Sequence, residues 1–150
     1  MVTVFVYGTL KPGEAAYPRY CQPHVVLAQP ALVQGDLFHL PQGYPALTLG
    51  DRWIHGFLLR LQDDWKIAAM DDFEDYDPSR PAAENLYVRQ QWPVFSPTQQ
   101  PLGPAWVYWM AKDRIQALGG IAVTSGDWSR QHWPSLTLLE PTDDAELSEC

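Results

Sequence analysis

Apolar positions along this chain cluster in short blocks with the spacing of strands rather than helices. Residues 2–6 (VTVFV) make a β-branched run of the buried-strand type. Residues 31–40 (ALVQGDLFHL) alternate imperfectly around Gly35, and 44–47 restart the chain after a turn at 41–43. Residues 53–61 (WIHGFLLRL) form another strand with an internal glycine, Gly56. Glycines inside two strands imply tight curvature, which favours a small closed sheet over a flat one. A further strand pair is expected at 86–95 and 103–110, around the loop 96–102. Helical signals are few. One helix is expected from an N-cap at Asp63 or Asp64 through Asp72, and a shorter one at 112–118, ended by Gly119 and Gly120. With no internal repeat and no linker, residues 1–139 read as one domain and 140–150 as an acidic, disordered tail.

Composition sharpens this picture. Seven Trp and seven Tyr in 150 residues point to a core or pocket walled by rings with polar edges. Fourteen Pro stiffen the loops and disfavour long helices. The formal charge is −8, but five acids and no base fall between Glu140 and Cys150, leaving ten bases against thirteen acids elsewhere. Neither part offers a basic footprint for a phosphate backbone, so no nucleic-acid partner is expected. No apolar stretch is long enough to span a bilayer, and the first strand lacks a basic region before it, so a cytoplasmic location without a membrane partner is expected. Cys21 and Cys150 lack CxxC spacing, and no disulfide framework is expected.

Two stretches carry candidate chemistry. The first strand runs into Tyr7, Gly8, Thr9 and Leu10, and Gly8 to Gly13 has the G-x-x-x-x-G spacing of a phosphate loop. Such a loop needs Lys and then Ser or Thr after its last glycine, whereas here Glu14 and Ala15 follow. A carboxylate there repels phosphate, so the nucleotide reading fails. Two readings stay open: consecutive N–H groups of Gly8, Thr9 and Leu10 cradle a carboxylate-sized anion, or Gly8 is a strand-to-turn glycine with no ligand. The second stretch, MDDFEDYDP at 70–78, is dense in acids, which usually marks a solvated face. Yet on a helix from Asp64, Ile67, Met70 and Glu74 share one face, which turns Glu74 inward while Asp71, Asp72 and Asp75 stay wet. A carboxyl shielded from water has its charged form disfavoured, which suits a general base. His24, His39, His55 and His132 show no metal-ligand spacing and read as structural or surface residues.

Taken in order, Tyr7-Gly8-Thr9-Leu10-Lys11, Gly35-Asp36-Leu37-Phe38, Tyr44-Pro45-Ala46, His55-Gly56 and Met70-Asp71-Asp72-Phe73-Glu74-Asp75-Tyr76 resemble the gamma-glutamylcyclotransferase-like family. The resemblance continues through Tyr87-Val88-Arg89, Ala105-Trp106-Val107-Tyr108 and Ser125-Gly126-Asp127-Trp128, and is strongest to the small YGTL-type members of the gamma-glutamylamine cyclotransferase branch. It implies an α+β fold, a small mixed β-barrel with few short helices. It also implies a small-molecule γ-glutamyl substrate whose α-carboxylate is received by Tyr7, Gly8, Thr9 and Leu10, with Glu74 as the catalytic base. Tyr76 and Tyr108 either line that pocket or pack the barrel. No cofactor or metal is implied. Met70 stands where the family has leucine, and neither 22–30 nor the stretch after Trp128 matches the family pattern. Two functions of different classes stand: a cyclotransferase releasing 5-oxoproline, or a non-catalytic barrel binding a carboxylate metabolite or a protein partner. The sequence does not fix the oligomeric state.

Overall fold

The computed structural model of the chain describes residues 2–8, 11, 14, 25–62, 79 and 87–129. Among these residues, six strands and one short helix follow in the order β1 (Val2–Val6), β2 (Val25–His39), β3 (Pro45–Leu61), β4 (Val88–Phe95), β5 (Pro101–Trp109), α1 (Lys112–Ala117) and β6 (Ile121–Ala122). The expected helix at 63–72 and the tail at 140–150 lie outside the described residues. Among those described, no helix is long and apolar enough to cross a membrane.

The sheet runs β3-β1-β5-β4-β2-β6, and β2 also pairs with β3, so hydrogen bonding returns on itself through five strands. β1 lies antiparallel to β3, from Val2↔Leu61 to Val6↔Phe57, and parallel to β5 at Val4↔Trp106. The mixed sheet is a ring rather than a strict barrel. Its β1–β5 and β2–β4 seams each rest on one registered pair, Val4↔Trp106 and Leu32↔Phe95.

β1 explains why its sequence is apolar at nearly every position. Val2, Val4 and Val6 point into one core cluster with Leu59, Tyr87, Tyr108 and Ile115 of α1. Phe5 and Tyr7 point into a second cluster, to which all five ring strands contribute and which therefore fills the ring. A strand buried on both faces loses the polar half of its alternation. Many of the rings predicted from composition sit in these clusters, and those of Tyr7, Tyr87 and Trp128 have bonded polar edges, whereas the Trp109 Nε1–H is buried without a hydrogen-bond acceptor. Among the described residues, Trp128, Tyr7, Tyr87 and Tyr108 are the largest fully buried side chains. The Tyr87 hydroxyl donates to the Pro45 carbonyl at 2.7 Å, and Trp128 Nε1–H donates to His39 Nδ1 at 3.1 Å.

The expected curvature is present at both strand glycines. At Gly35 the ladder skips, with Gly35 opposite Arg52 but Asp36 opposite Thr48, which leaves Leu49, Gly50 and Asp51 as a bulge in β3. That bulge joins 44–47 and 53–61 into one strand, where the sequence pattern shows two. A Cβ on Gly56 would collide with the Val6 carbonyl and lie 2.5 Å from the Phe5 ring, so only glycine lets β1 approach β3 so closely there. β2 also begins earlier than expected, at Val25 instead of 31. Residues 25–30 are mostly exposed and include Pro30, so they lack the buried alternation that marks a strand. The short helix α1 ends as read, with the Gly120 N–H donating to the Ile115 carbonyl at 2.9 Å.

Candidate functional site

The end of β1 delivers the chain into the loop that carries the candidate anion cradle. Tyr7 is wholly buried, and its hydroxyl donates to the Tyr108 carbonyl at 2.5 Å, fastening the strand end to β5. Gly8 is buried next to it. The Lys11 N–H returns to the Gly8 carbonyl at 3.0 Å, closing a turn directly after the strand, and the Glu14 N–H bonds the Lys11 carbonyl at 3.0 Å. Of the site residues expected from sequence, Tyr7, Gly8 and Tyr108 are brought together here. Thr9, Leu10, Glu74 and Tyr76 lie outside the described residues. Tyr108 is itself fully buried, with Tyr87, Met110 and Ile115 in its cluster.

Lys11 received no role from sequence, yet its charged side chain is buried beside this turn. Only 7% of it is exposed. Its ammonium donates to the Trp128 carbonyl and stands 3.6 Å from the Asp127 carboxylate. A buried ammonium is costly unless paired and hydrogen-bonded; here the Trp128 carbonyl supplies the hydrogen bond, and the exposed Asp127 carboxylate adds only a screened pairing. Trp128 is in turn fixed by His39, whose ring lies nearly parallel to the indole at 6.4 Å between centroids. His39 is thus buried and structural, one of the two placements the sequence left open for it. No local signal could have revealed this assembly, because Lys11 and Trp128 are 117 positions apart.

Beside the turn opens a cleft of about 240 Å³. Lys11 and Asp127 bound it on one side, with Ala31 of β2, His55 and Gly56 of β3, and Pro97 of the β4–β5 loop on the others. Its size suits a fragment of amino-acid dimensions rather than a drug-sized ligand, for which pockets are about 300–1,000 Å³. The strand end therefore presents buried backbone, one held cation and a small cleft on the same rim of the ring.

A family model described as "Gamma-glutamyl cyclotransferase, AIG2-like" matches residues 4–130. A Vibrio cholerae protein whose name provisionally assigns it as a gamma-glutamylcyclotransferase is 31% identical over 133 residues, covering 85% of this chain and 96% of that protein. Among solved structures, YkqA of Bacillus subtilis superposes with a TM-score of 0.60 at 23% identity, over 87% of this chain. This chain spans only 40% of YkqA. An AIG2-like protein of Mus musculus gives a TM-score of 0.57 at 23% identity, over 73% of this chain and 77% of its own. At those identities the structural likeness concerns the fold, and it agrees with the small mixed sheet described above.

Proposed function

The chain belongs to the gamma-glutamyl cyclotransferase, AIG2-like family, and from that premise we propose that it is a cyclotransferase that releases 5-oxoproline and a free amine or peptide from a γ-glutamyl substrate. In this reading the backbone N–H groups of Gly8, Thr9 and Leu10 receive the substrate's α-carboxylate. Glu74 takes a proton from the α-ammonium, and the freed amine attacks the γ-carbonyl of the same molecule. The five-membered lactam closes, the bond from the γ-carbonyl to the leaving nitrogen breaks, and that nitrogen departs with a proton. Tyr7 supports the cradle by tying the end of β1 to Tyr108, and Tyr76 is assigned to the pocket wall beside Glu74.

The chemistry asks little of the protein. Nucleophile and electrophile share one molecule, and a well-oriented ring closure reaches effective molarities of about 10⁵–10⁸ M. The protein has to hold a folded-back conformer and move one proton, a role worth roughly 10²–10⁴-fold. Neither task requires a metal or an organic cofactor.

The observation that carries this reading is the family match across residues 4–130, which includes both the first loop and Glu74. A buried strand end with a closed turn after it, Lys11 N–H to Gly8 carbonyl, is the kind of rigid support such a cradle needs. The test is a panel of γ-glutamyl amines and γ-glutamyl dipeptides scored for 5-oxoproline. Release from at least one class is expected. A purified, folded protein that binds members of the panel and turns over none would favour the carboxylate-binding alternative.

A further inference from the structure

We propose that Lys11 is a positioning residue, one that sets the placement of the first loop by anchoring it to the segment 125–128. The inference rests on the cyclotransferase reading above. It concerns a contact between two motifs that lie at opposite ends of the described chain.

The anchor is prepared from the far side. Gly126 has φ +73°, and a Cβ there would strike the Trp53 carbonyl, so the segment needs glycine to lie against β3. Its carbonyl accepts the His55 N–H at 2.7 Å, and the Asp127 N–H bonds Ser125 Oγ at 3.3 Å. Trp128 is wholly buried and bonded to His39. The Trp128 carbonyl is therefore a fixed acceptor. Lys11 reaches it with a buried ammonium while its own N–H closes the turn onto Gly8. One residue thus couples a rigid acceptor to the turn that holds the proposed donors. The carbonyl bond carries the anchor. Asp127 is 61% exposed at 3.6 Å, where an ion pair is largely screened.

A loosened cradle weakens ground state and transition state alike, because it binds the unreacting α-carboxylate. Such a loss raises KM and leaves kcat in place. Lys11→Met keeps the aliphatic stem and removes the donor. We expect KM to rise about tenfold or more with kcat within a factor of about three. Lys11→Arg, which keeps a cationic donor, should recover part of that loss. Amide hydrogen exchange at Tyr7, Gly8 and Lys11 should quicken in Lys11→Met while exchange within β2 and β3 stays as in the wild type. Should Lys11→Met fail to fold, Lys11→Gln is read in the same way. Unchanged KM together with unchanged exchange at the turn overturns the proposal, as does a fall in kcat at constant KM. If the wild type releases no 5-oxoproline from any substrate tried, the cyclotransferase reading falls. The exchange readout then decides the anchor alone, since it needs no turnover: quickened exchange upholds it and unchanged exchange removes it.

Discussion

The residues that make this sequence familiar act, where they are described, largely on one another. Tyr7 bonds Tyr108, Tyr87 bonds Pro45, and Lys11 bonds Trp128 and pairs with Asp127. Each pair joins two motifs far apart in sequence, so the motifs are fasteners of the ring as well as candidates for its chemistry. Replacing Tyr7 by Phe removes a buried donor and strips a hydrogen bond from the Tyr108 carbonyl. A loss of about 1–2 kcal/mol in unfolding free energy is expected, readable as a lower denaturant midpoint at unchanged slope. The position of Tyr7 and Gly8 at the end of a buried strand was legible from the sequence alone, because apolar run and glycine abut. Their partners were not legible. A hydrogen bond across a hundred residues leaves no periodicity, and Lys11 reads locally as an ordinary loop lysine.

At the scale of elements, the sequence placed β1, the end of β3, β4, most of β5 and α1, the strands through their buried side chains and the helix, which buries Ile115 alone, through the glycines that end it. It missed the first six residues of β2, where exposure erases the alternation, and it split β3, where three bulged residues break the period. The glycines were the better guides. Both strand glycines mark close approaches, and the one at 56 controls how near β1 lies to β3. Gly56→Ala forces a methyl group against the Val6 carbonyl and the Phe5 ring. Overpacking of this kind costs about 1–3 kcal/mol, and the variant should unfold at correspondingly lower denaturant. A neutral outcome would mean that β1 can move away from β3 without loss. The short helix α1 adds Ile115 to the cluster outside the ring, and truncation there should cost about 2–4 kcal/mol by the same measurement.

Over the whole molecule, a ring of strands buries one cluster inside and a second on its outer wall, and its two thin seams should open first. Native-state hydrogen exchange is expected to be faster at the amides that bond across the β1–β5 and β2–β4 seams than at those that bond across the long β2–β3 pairing. Equal protection would imply that the ring opens only as a unit. The closed, strongly curved sheet was foreseeable from the strand glycines and the scarcity of helical signals. What the fold does was not foreseeable from curvature, since a ring of this size can hold an enzyme or a binder equally well. The proposed function rests on one loop and one carboxylate, and the sharpest trial is on that carboxylate. With a substrate that the wild type cyclises, the rate of 5-oxoproline formation is compared between wild type and Glu74→Gln, alongside ligand binding and the unfolding midpoint. A fall in kcat of about 10²–10⁴-fold with binding and stability retained is the expected result. A Glu74→Gln protein that forms 5-oxoproline at the wild-type rate would contradict it.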